Sequence, residues 1–133
     1  MSGETGAAAI VAQARALIGV PFRLHGRSEA GLDCVGLAAL AFARAGHAGV
    51  APDAYGLRTH DAMRVGGWLR AAGLRPVGTG RPGDLALVRP GPLALHLMIA
   101  TGDGFVHAHA GLGRVVETPG ASPWPVIGWW TGA

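Results

Sequence analysis

The stretch LALHLMIATGDGFVHAHA, residues 93–110, decides the fold. Gly102-Asp103 reads as a two-residue turn of the kind that joins antiparallel strands. Before the turn, Leu95, Leu97 and Ile99 make a core-facing row, while Ala94, His96, Met98 and Ala100 share the other face. Past the turn, Phe105, His107 and His109 fall together. Such a turn pairs Ala100 with Phe105. Counting back along both strands sets His96 opposite His109, with His107 on the diagonal, about 7–8 Å away. Three imidazoles gather on one face of a predicted hairpin.

More short strands flank it. RPGDLALVRPGP (81–92) reads as turn, strand, turn; GRVVE (113–117) and VIGWWT (126–131) continue the pattern. The first half is different. Residues 7–18 predict a helix stopped by Gly19 and Pro21. VPFRLHGRSEAGLD (20–33) reads as loop. Asp33 then caps a second helix from Cys34 to Ala45, closed by Gly46. HAGVAPDAYGL (47–57) is loop, and Thr59 is positioned to cap a third helix over residues 60–72, ended by Gly73. The Gly/Pro-rich stretch at 76–83 reads as a connection. Helices first and strands second predict an α+β domain with an antiparallel sheet, one domain over residues 1–133.

Composition narrows the chemistry. Half of the 133 residues are hydrophobic, but many are alanine, and the longest apolar run, Cys34 to Ala43, is too short to span a bilayer. The first residues, MSGETGAAAIVAQARALIG, carry Glu4 early and lack a basic start, so they do not read as a secretory signal. The expectation is synthesis in the cytoplasm, so that action outside it would need carriage or release. Eleven arginines face eight acids, and lysine is absent, which removes Schiff-base and Ser–Lys chemistry. The arginines are scattered, so neither nucleic acid nor membrane is an expected partner. A single cysteine excludes an intrachain disulfide and a Cys-rich zinc site.

Cys34 opens a predicted helix, where the positive end of the dipole favours thiolate, so it is expected to be acidic and to alkylate below pH 7. A hydrolytic cysteine also needs a base and a group that orients the base. His96, His107 and His109 are the candidates. Each has an ordinary alternative: Cys34 as a small core residue, the histidines as packing, surface or a metal cluster. His25, His47 and His60 read as solvated. Trp129 and Trp130 read as core and rim.

Four motifs carry a resemblance. ARALIGVPFRLHG (14–26), DCVGL (33–37), RPGDLALV (81–88) and HLMIATGDGFVHA (96–108), in this order, resemble the NlpC/P60 family of papain-like cell-wall cysteine peptidases. The likeness spans about residues 8 to 118, most closely the phage and gene-transfer-agent branch. It implies a papain-like fold, no cofactor, peptidoglycan as substrate, and phage-like tail or baseplate proteins as partners. It makes Cys34 the nucleophile, His96 the general base and His107 the residue that orients it. The bond it implies is γ-D-glutamyl to diamino acid. Where the family commonly has Tyr and Ser, this chain has Phe22 and Val35. Phe22, Val35 and Asp33 are the expected substrate contacts. Loss of two hydroxyls predicts a weak preference for a free N-terminal L-alanine, unless Asp33 or Glu29 holds the amine. The rivals are an amidase or acyltransferase on the same site, a non-catalytic tail subunit, and a metal-binding module.

Overall fold

The structure, a computed structural model, describes residues 2–49 and 61–132, with backbone alone for residues 2–5. Helix α1 spans Ser2–Ala16. It starts earlier than residue 7 because Gly3 and Gly6 weaken the helix signal without preventing the helix. It ends earlier than residue 18 because Leu17 and Ile18 turn back onto the Ala14 and Arg15 carbonyls and Gly19 is left-handed. Ile10, Ala14 and Leu17 form its buried stripe. Arg15 reaches Glu117 and Asp103 at 3.0 Å each, tying the helix to the sheet.

The loop that follows holds a small ribbon, β1 (Arg27–Ser28) against β2 (Gly31–Leu32). Helix α2, Cys34–Arg44, begins as expected. One Asp33 oxygen accepts from Gly36 N at 2.7 Å and the other from His25 N at 2.7 Å. One buried carboxylate therefore fixes both the helix start and the loop before it. His25 is left-handed (φ 63) to present that N–H. Gly36 is forced by closeness, since a Cβ there would land on the Gly26 carbonyl. Replacing Asp33 with alanine removes the cap and strands a buried N–H. The expected loss is about 2 kcal/mol, read from urea unfolding midpoints.

Helix α3 spans Ala62–Ala71. Its cap is Asp61, whose side chain accepts from Arg64 N at 3.0 Å; Thr59, the expected cap, lies outside the described residues, as does His60. Gly66 does not break the helix. It leaves room for the Trp130 ring, which the Arg70 guanidinium covers at 5.3 Å.

The remaining strands are β3 (Arg75–Val77), β4 (Leu85–Gly91), β5 (Ala94–Ala100), β6 (Gly104–His109), β7 (Arg114–Pro119) and β8 (Val126–Thr131). They form one antiparallel sheet in the order β3-β8-β4-β5-β6-β7. β3 is an addition to the expected strands. Three residues with a proline, at a sheet edge, give almost no strand signal. Leu85, Leu87, Leu95, Leu97, Ile99, Val106 and Val115 face the helices in the main core. Ala86, Val88, Met98, Ala100 and Phe105 face away, under Trp124 and Trp129. Trp130, rather than Trp129, is the residue in the main core, and Trp129 packs on the other face of the sheet.

The α+β class and antiparallel sheet match the expectation. The hairpin register does too, but only near the turn. Ile99 pairs with Val106 and Ala100 with Phe105, and there the β5–β6 ladder ends. Beyond it β5 stays with β4, and β6 stays with β7 through His109. The two strands splay just where the histidines begin.

Candidate active site

The splay creates the site. Ala100 bonds Asp84 on the β4 side. By strand alternation the Leu97 N–H points the other way, toward β6. With β6 gone from that edge, the Leu97 N–H is turned to the Cys34 sulfur, which also meets the Val35 and Cys34 amides at the start of α2. The thiol is thus seated on a helix N-terminus and on an opened strand edge together. Cys34 and His96 line one narrow apolar cavity between α2, α3, β4 and β5.

The opened ladder also decides which histidine meets His96. Its Nε2 lies 2.9 Å from His107 Nδ1. The His107 Nε2 in turn lies 2.9 Å from Thr118 Oγ1 on β7. His109 is turned aside, its Nδ1 accepting from Leu112 N at 3.0 Å. The simple register that set His109 opposite His96 fails because the strands part before reaching it. Trp124 packs edge-on against His96 and His107, with ring centroids 5.6 and 5.7 Å away. Thr118 and Trp124 are site neighbours that the sequence reading did not pick out. Thr118 lies one residue past the expected end of its strand, and Trp124 sits in the SPWP turn, whose only signal is an aromatic between prolines.

Burial sets the charge states. Desolvation pushes the Cys34 thiol up to about 12, against the pull of the Leu97 amide, and the Asp33 charge pushes the same way as burial. Desolvation lowers His96 to about 3, helped by His107 and His109. His107 falls to about 4 for the same first cause, with His109 adding to it. At neutral pH the thiol is protonated and both rings are neutral. The expected acidic Cys34 is corrected here: at 3 % exposure, loss of water outweighs the helix dipole. Iodoacetamide should therefore label the native protein far more slowly at pH 7 than the urea-unfolded chain. Equal rates would show that the thiol is not shielded.

The expected substrate contacts divide. Val35 lines the cavity beside Cys34. Phe22 is half-buried against the core and bridges to Leu32, two residues before the thiol. Asp33 is corrected: fully buried, with an amide on each oxygen, it is a structural cap rather than a substrate contact. Glu29 is paired with Arg44 at 2.8 Å. His47 is corrected too; it is not solvated but bonded to the Ala72 carbonyl at 2.9 Å, against the Phe42 ring, and it lines the cavity. His96 Nε2 and both His107 nitrogens are taken up by each other and Thr118, and His109 Nδ1 by Leu112 N. Among the described residues no group of three His, Cys, Asp or Glu side chains converges on a metal-sized point.

No protein-family model and no curated protein sequence matches the chain. Solved structures do. The P60 domain of an antigen from M. avium subspecies paratuberculosis superposes with a TM-score of 0.67 at 23% identity, over 99% of this chain and 98% of that one. The NlpC/p60 domain of the peptidoglycan hydrolase SagA gives 0.58 at 28% identity, over 85% and 88%. NlpC1 from Trichomonas vaginalis gives 0.65 at 22% identity over 92% of this chain, which spans only 43% of that protein's length. The helices packed on an antiparallel sheet match the fold of NlpC/P60 domains.

Proposed function

We propose that this protein is a cysteine peptidase that hydrolyses amide bonds in peptidoglycan stem peptides, with Cys34 as nucleophile, His96 as base and His107 as its orienting partner. The observation that carries this reading is the chain of contacts from His96 Nε2 to His107 Nδ1, beside a cysteine seated on the amides that open α2. The SagA domain and RipB from Mycobacterium tuberculosis, also similar in fold, are named peptidoglycan hydrolases.

With Nε2 taken up by His107, the His96 Nδ1 remains to receive the thiol proton. Thiolate and imidazolium form together, each charge offsetting the desolvation of the other. The sulfur attacks the scissile carbonyl, and the Cys34 N–H at the helix start donates to the developing oxyanion. His96 returns its proton to the leaving amine. Water, deprotonated by His96, then hydrolyses the thioester and restores the thiol. The bond we assign is γ-D-glutamyl to diamino acid, and the setting a phage-like tail or gene-transfer particle that delivers the enzyme to the wall.

Digestion of purified sacculi and of the free tripeptide L-Ala-γ-D-Glu-diaminopimelate, by wild type and by Cys34→Ala, tests this. Products should carry a new γ-glutamyl carboxylate by mass spectrometry, only with wild type, and faster from sacculi. Release of the whole stem from glycan would indicate an amidase. Absence of any cleavage would favour a structural tail subunit.

A further inference from the structure

The contacts continue one step past the orienting histidine, and that step selects a tautomer. We propose that Thr118 is a positioning residue: by accepting the His107 Nε2 proton at Oγ1 it holds His107 and, through it, His96 in the Nε2–H form that leaves His96 Nδ1 able to take a proton. This rests on the peptidase reading for its consequence, though not for its measurement.

Each neutral imidazole has one donor nitrogen and one acceptor nitrogen, so a chain of imidazoles must run in one direction throughout. Here the chain is His96 Nε2 to His107 Nδ1 and His107 Nε2 to Thr118 Oγ1, both 2.9 Å. Two directions satisfy it. In the first, His96 Nε2–H donates to His107 Nδ1, His107 Nε2–H donates to Thr118, and His96 Nδ1 is a bare acceptor. In the second every proton is reversed, and His96 Nδ1 carries a hydrogen.

The ends decide between them. At the inner end His96 lines one cavity with Cys34, whose buried thiol is a donor at neutral pH. The second direction leaves His96 Nδ1 a further donor. The first leaves it an acceptor for the thiol proton. At the outer end, Thr118 is only partly buried, so after accepting from His107 its own hydrogen can turn to solvent. His107 has no such freedom. It is 1 % exposed, and without Thr118 its Nε2–H would be stranded. The sheet makes the contact reliable. Phe105 pairs with Thr118 and His107 with Val116, so Thr118 is the same-face diagonal neighbour of His107 on the adjoining strand.

The test reads protons directly. In 15N-labelled protein at pH 7.5, two-bond 1H–15N correlation spectra separate protonated from bare ring nitrogens. Wild type should show Nε2 protonated and Nδ1 bare on both His96 and His107. Thr118→Val keeps the shape and removes the acceptor; both rings should shift toward mixed tautomers, and kcat should fall about 10–100-fold with KM little changed, as for loss of a group orienting an active-site histidine. Thr118→Ser should restore both. A wild-type His107 with its proton on Nδ1, or Thr118→Val spectra with both rings unchanged, would overturn the proposal; the first needs no variant to fold. If the spectra match and muropeptides are not cleaved, the tautomer assignment stands and the peptidase reading falls.

Discussion

Replacing His96 with alanine is expected to abolish muropeptide cleavage, a fall on the order of 10²–10⁴-fold. The size follows from where His96 stands. The thiol that shares its cavity is pushed to about 12 by burial, so almost none ionises unaided. A base is required to make the nucleophile at all, and a proton is required again when the amine leaves. Among the described residues, the ring bonded to His96 is His107, and it is spent on His96 and Thr118. His107→Ala removes orientation rather than the base itself, so a smaller loss is expected, of about 10–100-fold. His109→Ala should change turnover by less than about two-fold, because that ring holds the Leu112 turn rather than His96. Rates on one muropeptide substrate give the order. If His109→Ala is more damaging than His107→Ala, the strand splay does not set the partner of His96 in solution. If His96→Ala retains turnover, the base lies elsewhere.

Much of this arrangement was legible in the chain. Asp33 before an apolar run, glycine at 46 and 73, and alternation around Gly102-Asp103 each have local physical causes, and the elements form where those causes put them. Position in the sheet was harder. Strand β8 leaves the sequential order to lie between β3 and β4, and nothing in VIGWWT announces its neighbours. The site depended on a failure of regularity. Extending the hairpin ladder led to His109, and only the parting of β5 from β6 leads to His107. That parting is a tertiary event, at the edge where α2 brings its first amides and thiol. The acidity of Cys34 was misjudged for the same reason: the helix dipole is local and readable, whereas burial is known only once the fold closes over it. Asp33 illustrates the converse. Its cap was readable, but not the second amide, from His25, nor the full burial that closes the carboxylate to a substrate.

Acid should begin to destabilise this protein above the pH at which carboxylates protonate. His96 is lowered to about 3 and His107 to about 4, mainly by desolvation, from an ordinary value near 6.5. Below pH 6.5 the unfolded chain therefore binds two protons that the native protein refuses. Stability rises with pH wherever the unfolded state holds more protons, so it must fall as pH drops from about 6.5 toward 4. The slope approaches about 1.4 kcal/mol per pH unit for each histidine. Allowing for partial solvent contact of His96, the two together cost on the order of 4 kcal/mol by pH 4, a large part of an ordinary domain's 5–15 kcal/mol. Glu117 acts in a lower window. Its carboxyl is held down first by Arg15, so its contribution is lost only as pH falls below the usual carboxylate range. Urea unfolding midpoints at pH 7.5, 6.0 and 5.0 would measure the effect, with His96→Gln/His107→Gln as the variant that should flatten it. A wild-type midpoint unchanged between pH 7.5 and 5.0 would mean that the two rings already carry charge in the native state. The catalytic consequence follows from the same burial. Because His96 stays neutral in the native protein until far below pH 6, the acid limb of activity should track unfolding rather than titration of the base, and the two curves should coincide in one midpoint.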